Sequence, residues 1–142
     1  MTQEEKQLLI NDICARIPYG VKAEASGWDE ENDKEVLVPV TVYSVNSDGY
    51  VYFCGNEYDI TYCRIEACHP FLRPVSSMTP QEWCDLCDCK LEDDKAAIIV
   101  NGRRFVSHIN EENFLNSRHF DYFGLIEKGL ALEAPEGMYK TE

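Results

Sequence analysis

Seven cysteines and three histidines are the residues of this chain best equipped for chemistry. Cys84, Cys87 and Cys89 form a Cys-x-x-Cys-x-Cys run, with Cys63, Cys68 and His69 upstream of it. Four such side chains would hold zinc in a tetrahedron. The spacing argues against a zinc knuckle, which sets its Cys-x-x-Cys on a tight turn. Here Cys84 and Cys87 fall inside a capped helix, where Cys89 faces elsewhere, and Cys63 and Cys68 are too far apart for a second knuckle. Were a structural zinc held, Cys84, Cys87, Cys63 and Cys68 would be its ligands. The plainer expectation is small buried thiols, with no metal and no cofactor. A Cys/His nucleophile would need His69, His108 or His119 to meet a thiol through the fold, and no local spacing favours a pair. No catalytic residue is therefore assigned, and a non-enzymatic protein is expected.

Carboxylates outnumber every other charged group, but Asp29-Glu30-Glu31, Glu92-Asp93-Asp94 and Glu111-Glu112 read as solvated runs or helix starts. Asp121, in His-Phe-Asp-Tyr, is placed to cap a helix, or else to stand at a pocket rim beside Tyr122. Tyr43, Tyr50, Tyr52, Phe53, Tyr58 and Tyr62 crowd three successive strands, so at least half are expected in the core and the rest could form a recognition surface. Trp28, in an acidic loop, is the best single candidate for an exposed aromatic anchor. Arg73 and His119 are the groups that would meet an anionic ligand.

The net charge of −13 limits the partners. Binding to a nucleic-acid backbone requires clustered Lys and Arg, and Arg103-Arg104 is the sole adjacent basic pair. An acidic surface suits solubility or a basic protein partner. The N-terminus is polar and acidic, unlike a signal peptide, and the longest apolar stretch, Ala96 to Val100, is too short to span a bilayer. Cytoplasmic location, reduced thiols and no membrane partner are the corresponding expectations.

These residues must be positioned by an α+β fold, expected as one domain over 1–142. Residues 3–16 carry an apolar stripe of Leu8, Leu9, Ile13, Cys14 and Ala15 at helical period, ended by Pro18-Tyr19-Gly20. A barrel-like core over 20–76 follows. Val21–Ala25 predicts a short strand and 26–34 a polar loop. Val36, Val38, Val40 and Val42 alternate through a long strand, in which Pro39 implies an edge or a bulge. Asn46-Ser47-Asp48-Gly49 turns into Tyr50–Cys54, and Tyr58–Cys63 predicts a fourth strand. A tight turn at Ile65–Cys68 leads to a fifth strand through Phe71-Leu72-Arg73. Five strands in meander order resemble a small SH3-like barrel. Over 79–142 the pattern predicts a cover. Thr79 and Glu82 box the start of a helix from Pro80 to about Lys90, and a hairpin turns at Asn101-Gly102 between Ala96–Val100 and Arg103–Ser107. Asn110 caps a helix to Arg118, and Asp121 caps another that stops at Gly129.

Three blocks carry a resemblance: Arg16-Ile17-Pro18-Tyr19-Gly20-Val21-Lys22, Pro70 through Thr79, and His119 through Tyr139. In them the chain resembles a family of small proteins from gut Bacteroidetes and their phages and prophages, a family with no activity to carry over. Where relatives often place a basic residue after His-Phe-Asp-Tyr, Phe123 stands here. The resemblance implies an accessory protein of a mobile element in a bacterial cytoplasm. The function expected is binding: to a host factor, with a possible anti-defence role, through Trp28, Arg73, His119, Asp121 and Tyr122. The alternatives are a sponge for a small nucleotide-like signal and the zinc module above.

Overall fold

The computed structural model describes residues 1–54, 56, 58–83, 85–86 and 107–139. Helix α1 spans Gln3–Arg16 and opens with a reciprocal capping box, in which the Thr2 hydroxyl accepts from Glu5 N–H and the Glu5 carboxylate from Thr2 N–H. A 3-10 turn at Ile17–Tyr19 closes on Gly20, whose φ of 73° lies in the left-handed region. The buried face of α1 is not the purely apolar stripe that was expected. Leu9 and Ile13 share it with Asp12 and Arg16, while Cys14 is exposed.

Six strands follow among the described residues: β1 (Lys22–Asp29), β2 (Lys34–Val45), β3 (Tyr50–Cys54), β4 (Tyr62–Arg64), β5 (Cys68–Leu72) and β6 (Leu132–Glu133). They form a mostly antiparallel sheet in the order β4-β3-β2-β1-β5-β6, with β6 parallel to β5. A 3-10 turn at Ile65–Ala67 links β4 to β5. The valine alternation reads as expected, with Val38, Val40 and Val42 buried and Leu37, Thr41 and Tyr43 exposed. Pro39 pairs with Glu24 of β1 in the half of β2 that precedes its ladder to β3, which begins at Thr41↔Cys54. The missing N–H therefore falls on a locally open edge. The bulge lies further on, between Val42 and Ser44.

Several expected boundaries move. β1 runs on to Asp29, so Trp28 sits in a strand and the polar loop shrinks to a turn. The fourth strand holds three residues instead of six, because 58–61 wrap around the Asn56 side chain. Residues 80–83 and 85–86 are helical (α2), entered through the expected Thr79/Glu82 box. Helix α3 spans Ser107–Ser117, so Asn110 lies within it and not at its start, and Ser107 belongs to a helix rather than a strand. The hairpin strand Ala96–Val100, its Asn101-Gly102 turn and Arg103–Val106 lie outside the described residues. No helix follows Asp121. Residues 122–129 form turns that close in a Schellman arrangement, with Gly129 N–H bonded to Ile126 C=O and Leu130 N–H to Leu125 C=O.

The core lies between the sheet and α1. Leu9, Ile13, Val21, Ala23, Ala25, Val51, Phe53, Ile65, Leu72 and Leu125 are fully buried in it. Of the clustered aromatics only Phe53 is fully buried. Tyr43 and Tyr62 are exposed and Tyr50 and Tyr52 half-buried, so packing claims fewer of them than expected. A second cluster joins Met78, Leu86, Phe114 and Phe120.

Candidate functional site

Four of the five residues expected to bind meet at one polar hub, which joins the three blocks to one another. Arg16 is fully buried. Its guanidinium forks onto the Asp12 carboxylate one turn back (3.0 and 3.1 Å) and donates to the Phe120 carbonyl. Burial pushes the Asp12 carboxyl above the ordinary carboxylate range, against the pull of Arg16. His119, 2% exposed and at φ 59°, stacks on the Tyr139 ring with centroids 3.9 Å apart. Its Nε2 lies 3.0 Å from the Tyr19 carbonyl, which can only accept, so Nε2 carries the proton. Burial, and to a lesser degree the Arg16 and Arg73 charges, lower its pKa to about 4. The ring is neutral at pH 7. The Tyr139 hydroxyl accepts from Lys22 N–H and donates to the Phe71 carbonyl, both at 2.8 Å, and burial raises its pKa to about 12.

Arg73 is engaged as well. It makes a bidentate pair with Glu82 at 2.8 Å on each arm and lies over the Phe120 ring. The pair and the Thr79 N–H hold Glu82 at about 2. The Asp121 oxygens accept from Leu125 N–H (2.8 Å) and Ile126 N–H (3.0 Å), four and five residues on. Asp121 thus organises a turn and is not the N-cap that was expected. Tyr122 donates to Asn116 (2.9 Å) and receives Arg16 over its ring face. Arg73, His119, Asp121 and Tyr122, placed as binding residues by the sequence, are brought together here and all four hydrogen-bond within the fold, while Asp121 and Tyr122 also line an open groove of about 610 Å3 and Arg73 one of about 400 Å3.

Cys63 and Cys68 are buried free thiols in the core. A hydrogen bond from Cys68 lowers the Cys63 pKa and raises that of Cys68 itself. Cys84 and Cys87 lie outside the described residues. Among the described residues, no three His, Cys, Asp or Glu side chains are grouped to hold a metal ion. No described helix is long and apolar enough to cross a membrane.

Trp28 alone of the five stands free of the hub, 54% exposed, on the wall of a cleft of about 560 Å3. The cleft opens between the β1–β2 turn (Trp28–Glu31) and the β3–β4 loop (Tyr58–Tyr62). Its floor follows from a glycine inside β1. A Cβ at Gly27 would lie 2.3 Å from Ile60 Cδ1, so only glycine lets Ile60 settle onto the strand. The loop that carries Ile60 is fixed by Asn56, whose oxygen accepts from Tyr58 and Ile60 N–H and whose amide donates to the Ile60 carbonyl (2.6 Å). The facing turn is fixed by Asp29, which accepts from Glu31 N–H and from both nitrogens of Asn32. The Asn32 side chain foremost, with these backbone donors and the Lys34 charge, keeps its carboxyl below the usual range.

No protein-family model, curated protein or solved structure matches this chain.

The cleft therefore stands on its own geometry. Trp28, Tyr58 and Tyr62 supply aromatic surface, Ile60 the apolar floor, and Asp29, Glu30, Glu31 and Asp59 the charge. The described lining contains no Lys or Arg. Such a set is chemically suited to binding and orienting a cation, and the described lining carries no nucleophile–base pair. The sequence singled out Trp28, and Tyr58 and Tyr62 among the crowded aromatics, without bringing them to one cleft or adding Ile60 and Asp59. Gly27 inside a strand and Asn56 beside a glycine were the available signals.

Proposed function

We propose that this is a non-enzymatic binding protein that engages a basic segment of a protein partner through the cleft between the β1–β2 turn and the β3–β4 loop. The observation that carries the reading is the exposed pair Trp28 and Tyr62, 54% and 56% accessible, over a cleft whose described charges are all negative. Exposed aromatics on a preformed concave surface are costly to hydrate and mark interaction sites. The charge of −13 adds long-range attraction for a basic partner. The scaffold we infer is an SH3-like barrel. The order β4-β3-β2-β1-β5 and the 3-10 turn between β4 and β5 support it.

The sequence resemblance gives the proposal its setting: an accessory protein of a phage or other mobile element, acting on a factor of its bacterial host, in the cytoplasm, and suited to an anti-defence role. The nucleotide-sponge alternative is weakened by the hub. Arg73 is neutralised by Glu82 and His119 is buried and uncharged, so neither offers charge to an anion.

Affinity capture from host lysate tests the reading, comparing the native protein, Trp28→Ala and Val75→Ala. Val75 is exposed and lies outside the cleft. A protein retained by the native chain and by Val75→Ala, and lost by Trp28→Ala, is expected. Equal recovery by all three would refute the cleft as the recognition site.

A further inference from the structure

The cleft's charge and its aromatic walls point to different features of a ligand, and together they narrow its class. Its carboxylates are not equivalent. The Asp29 oxygens are occupied by three donors from its own turn, and the residue is 6% exposed. Asp29 contributes charge but no free fork for a bidentate partner. Glu30, Glu31 and Asp59 are exposed, and no described residue hydrogen-bonds to their carboxylates. Lys34, paired in register with Asp29, acts on that carboxylate and does not line the cleft.

A ligand that enters gives up part of its hydration against Trp28, Tyr62 and Ile60, in an open cleft whose lining is otherwise polar. An ammonium is compact and strongly hydrated, and gives up that water poorly. A guanidinium is planar and weakly hydrated, stacks flat on an aromatic face, and still presents donors at its edge. The walls suit the face of such a group and the exposed carboxylates suit its edge. The volume of about 560 Å3 exceeds what one side chain fills, leaving room for flanking backbone.

We propose that the cleft selects an arginine side chain presented on an extended peptide segment, with Trp28 and Tyr62 as stacking walls and Glu30, Glu31 and Asp59 as counter-charges. This rests on the reading of the cleft as the recognition site and adds the chemistry of what enters it. Recognition is then aromatic first and electrostatic second. That order separates it from the attraction any basic peptide feels toward a chain of charge −13.

The test uses fluorescein-labelled nonapeptides with three arginines spaced by glycine and serine, and matched peptides with lysine or citrulline in their place. Binding is followed by fluorescence anisotropy at about 150 mM salt, where long-range attraction is screened. The arginine peptide should bind about threefold or more tighter than the lysine peptide, and the neutral citrulline peptide should not saturate. Trp28→Ala should weaken the arginine peptide about tenfold, and Trp28→Phe should restore most of the loss. Unchanged melting of both variants shows that the fold is intact. Equal affinity for the arginine and lysine peptides, or affinity unmoved by Trp28→Ala, would overturn the inference. If the arginine peptide fails while Trp28→Ala still abolishes partner capture, the inference falls and the recognition site stands. If both fail, both fall.

Discussion

Acidification from pH 7 to pH 4 should strip stability from the hub through His119. The ring is neutral in the folded protein, with a pKa of about 4, against about 6.5 in an unfolded chain. Between these values the unfolded state binds more protons, so stability falls as pH falls. The contribution is complete above about pH 6.5 and is lost as pH drops toward the folded value. Two-state linkage gives a loss of about 2 kcal/mol at pH 5 and about 3 kcal/mol at pH 4. Other groups move in the same experiment. Glu82, held at about 2, loses its contribution below the carboxylate range, while Asp12, raised by burial, gains stability as it protonates. The difference between native protein and His119→Asn isolates the ring. Asparagine tolerates the φ of 59° and does not titrate. Urea unfolding followed by tryptophan fluorescence at pH 7, 6 and 5 should show the variant's deficit shrinking by about 2 kcal/mol. A deficit independent of pH would refute the argument that buried His119 is held neutral.

Replacing Arg16 by Met should cost about 3 kcal/mol or more, because Asp12 is left buried without its partner, whereas Asp12→Leu with Arg16→Met should recover much of it; denaturant midpoints of the four chains measure the coupling. Asp121→Ala strands two amide donors, and a loss of about 1–2 kcal/mol is expected in thermal melts. Unchanged stability with lost partner binding would move Asp121 from the turn to the functional site. Gly27→Val pushes Ile60 off β1, and should cost about 1–3 kcal/mol in urea and reshape the cleft, read as a changed Trp28 emission maximum in a Trp83→Phe background. Gly129→Val forces a β-branched residue to φ 75° and should lower stability by about 1 kcal/mol or more in the same assay.

Local signals were readable where local physics decides. Thr79 and Glu82 cap α2 as their spacing requires, Gly49 takes φ 86° at the end of its turn, and the valines of β2 alternate inward and outward. The failures share a cause. The extra length of β1 comes from pairing with Lys34–Val36 across the sheet, which a polar stretch does not announce. Residues 122–129 read as a helix by their cap and stop, yet Asp121 reaches Leu125 and Ile126 and fixes turns instead. Arg73, His119 and Tyr122 were singled out as polar groups without partners visible in the sequence. Their partners lie on Glu82, Tyr19 and Asn116, and only tertiary structure supplies them. Asp12 and Arg16 were legible as an i,i+4 pair but not as a buried one, since their burial depends on the arrival of Phe120.

The hub also sets an order of assembly during synthesis. Strands β1 to β4 pair with neighbours close in the chain and can form as they leave the ribosome. Arg16 must wait for the Phe120 carbonyl, 104 positions on, and Lys22 for the Tyr139 hydroxyl, 117 positions on. Long loops of this kind close slowly, because their entropy is lost before any contact returns it. Until Phe120 and then Leu132–Glu133 emerge, the Arg16–Asp12 pair and the β5 edge stand open to water and to other chains. A nascent chain stalled before that point would expose an unpaired strand beside an uncovered core, a state that chaperones bind and that aggregates when they do not.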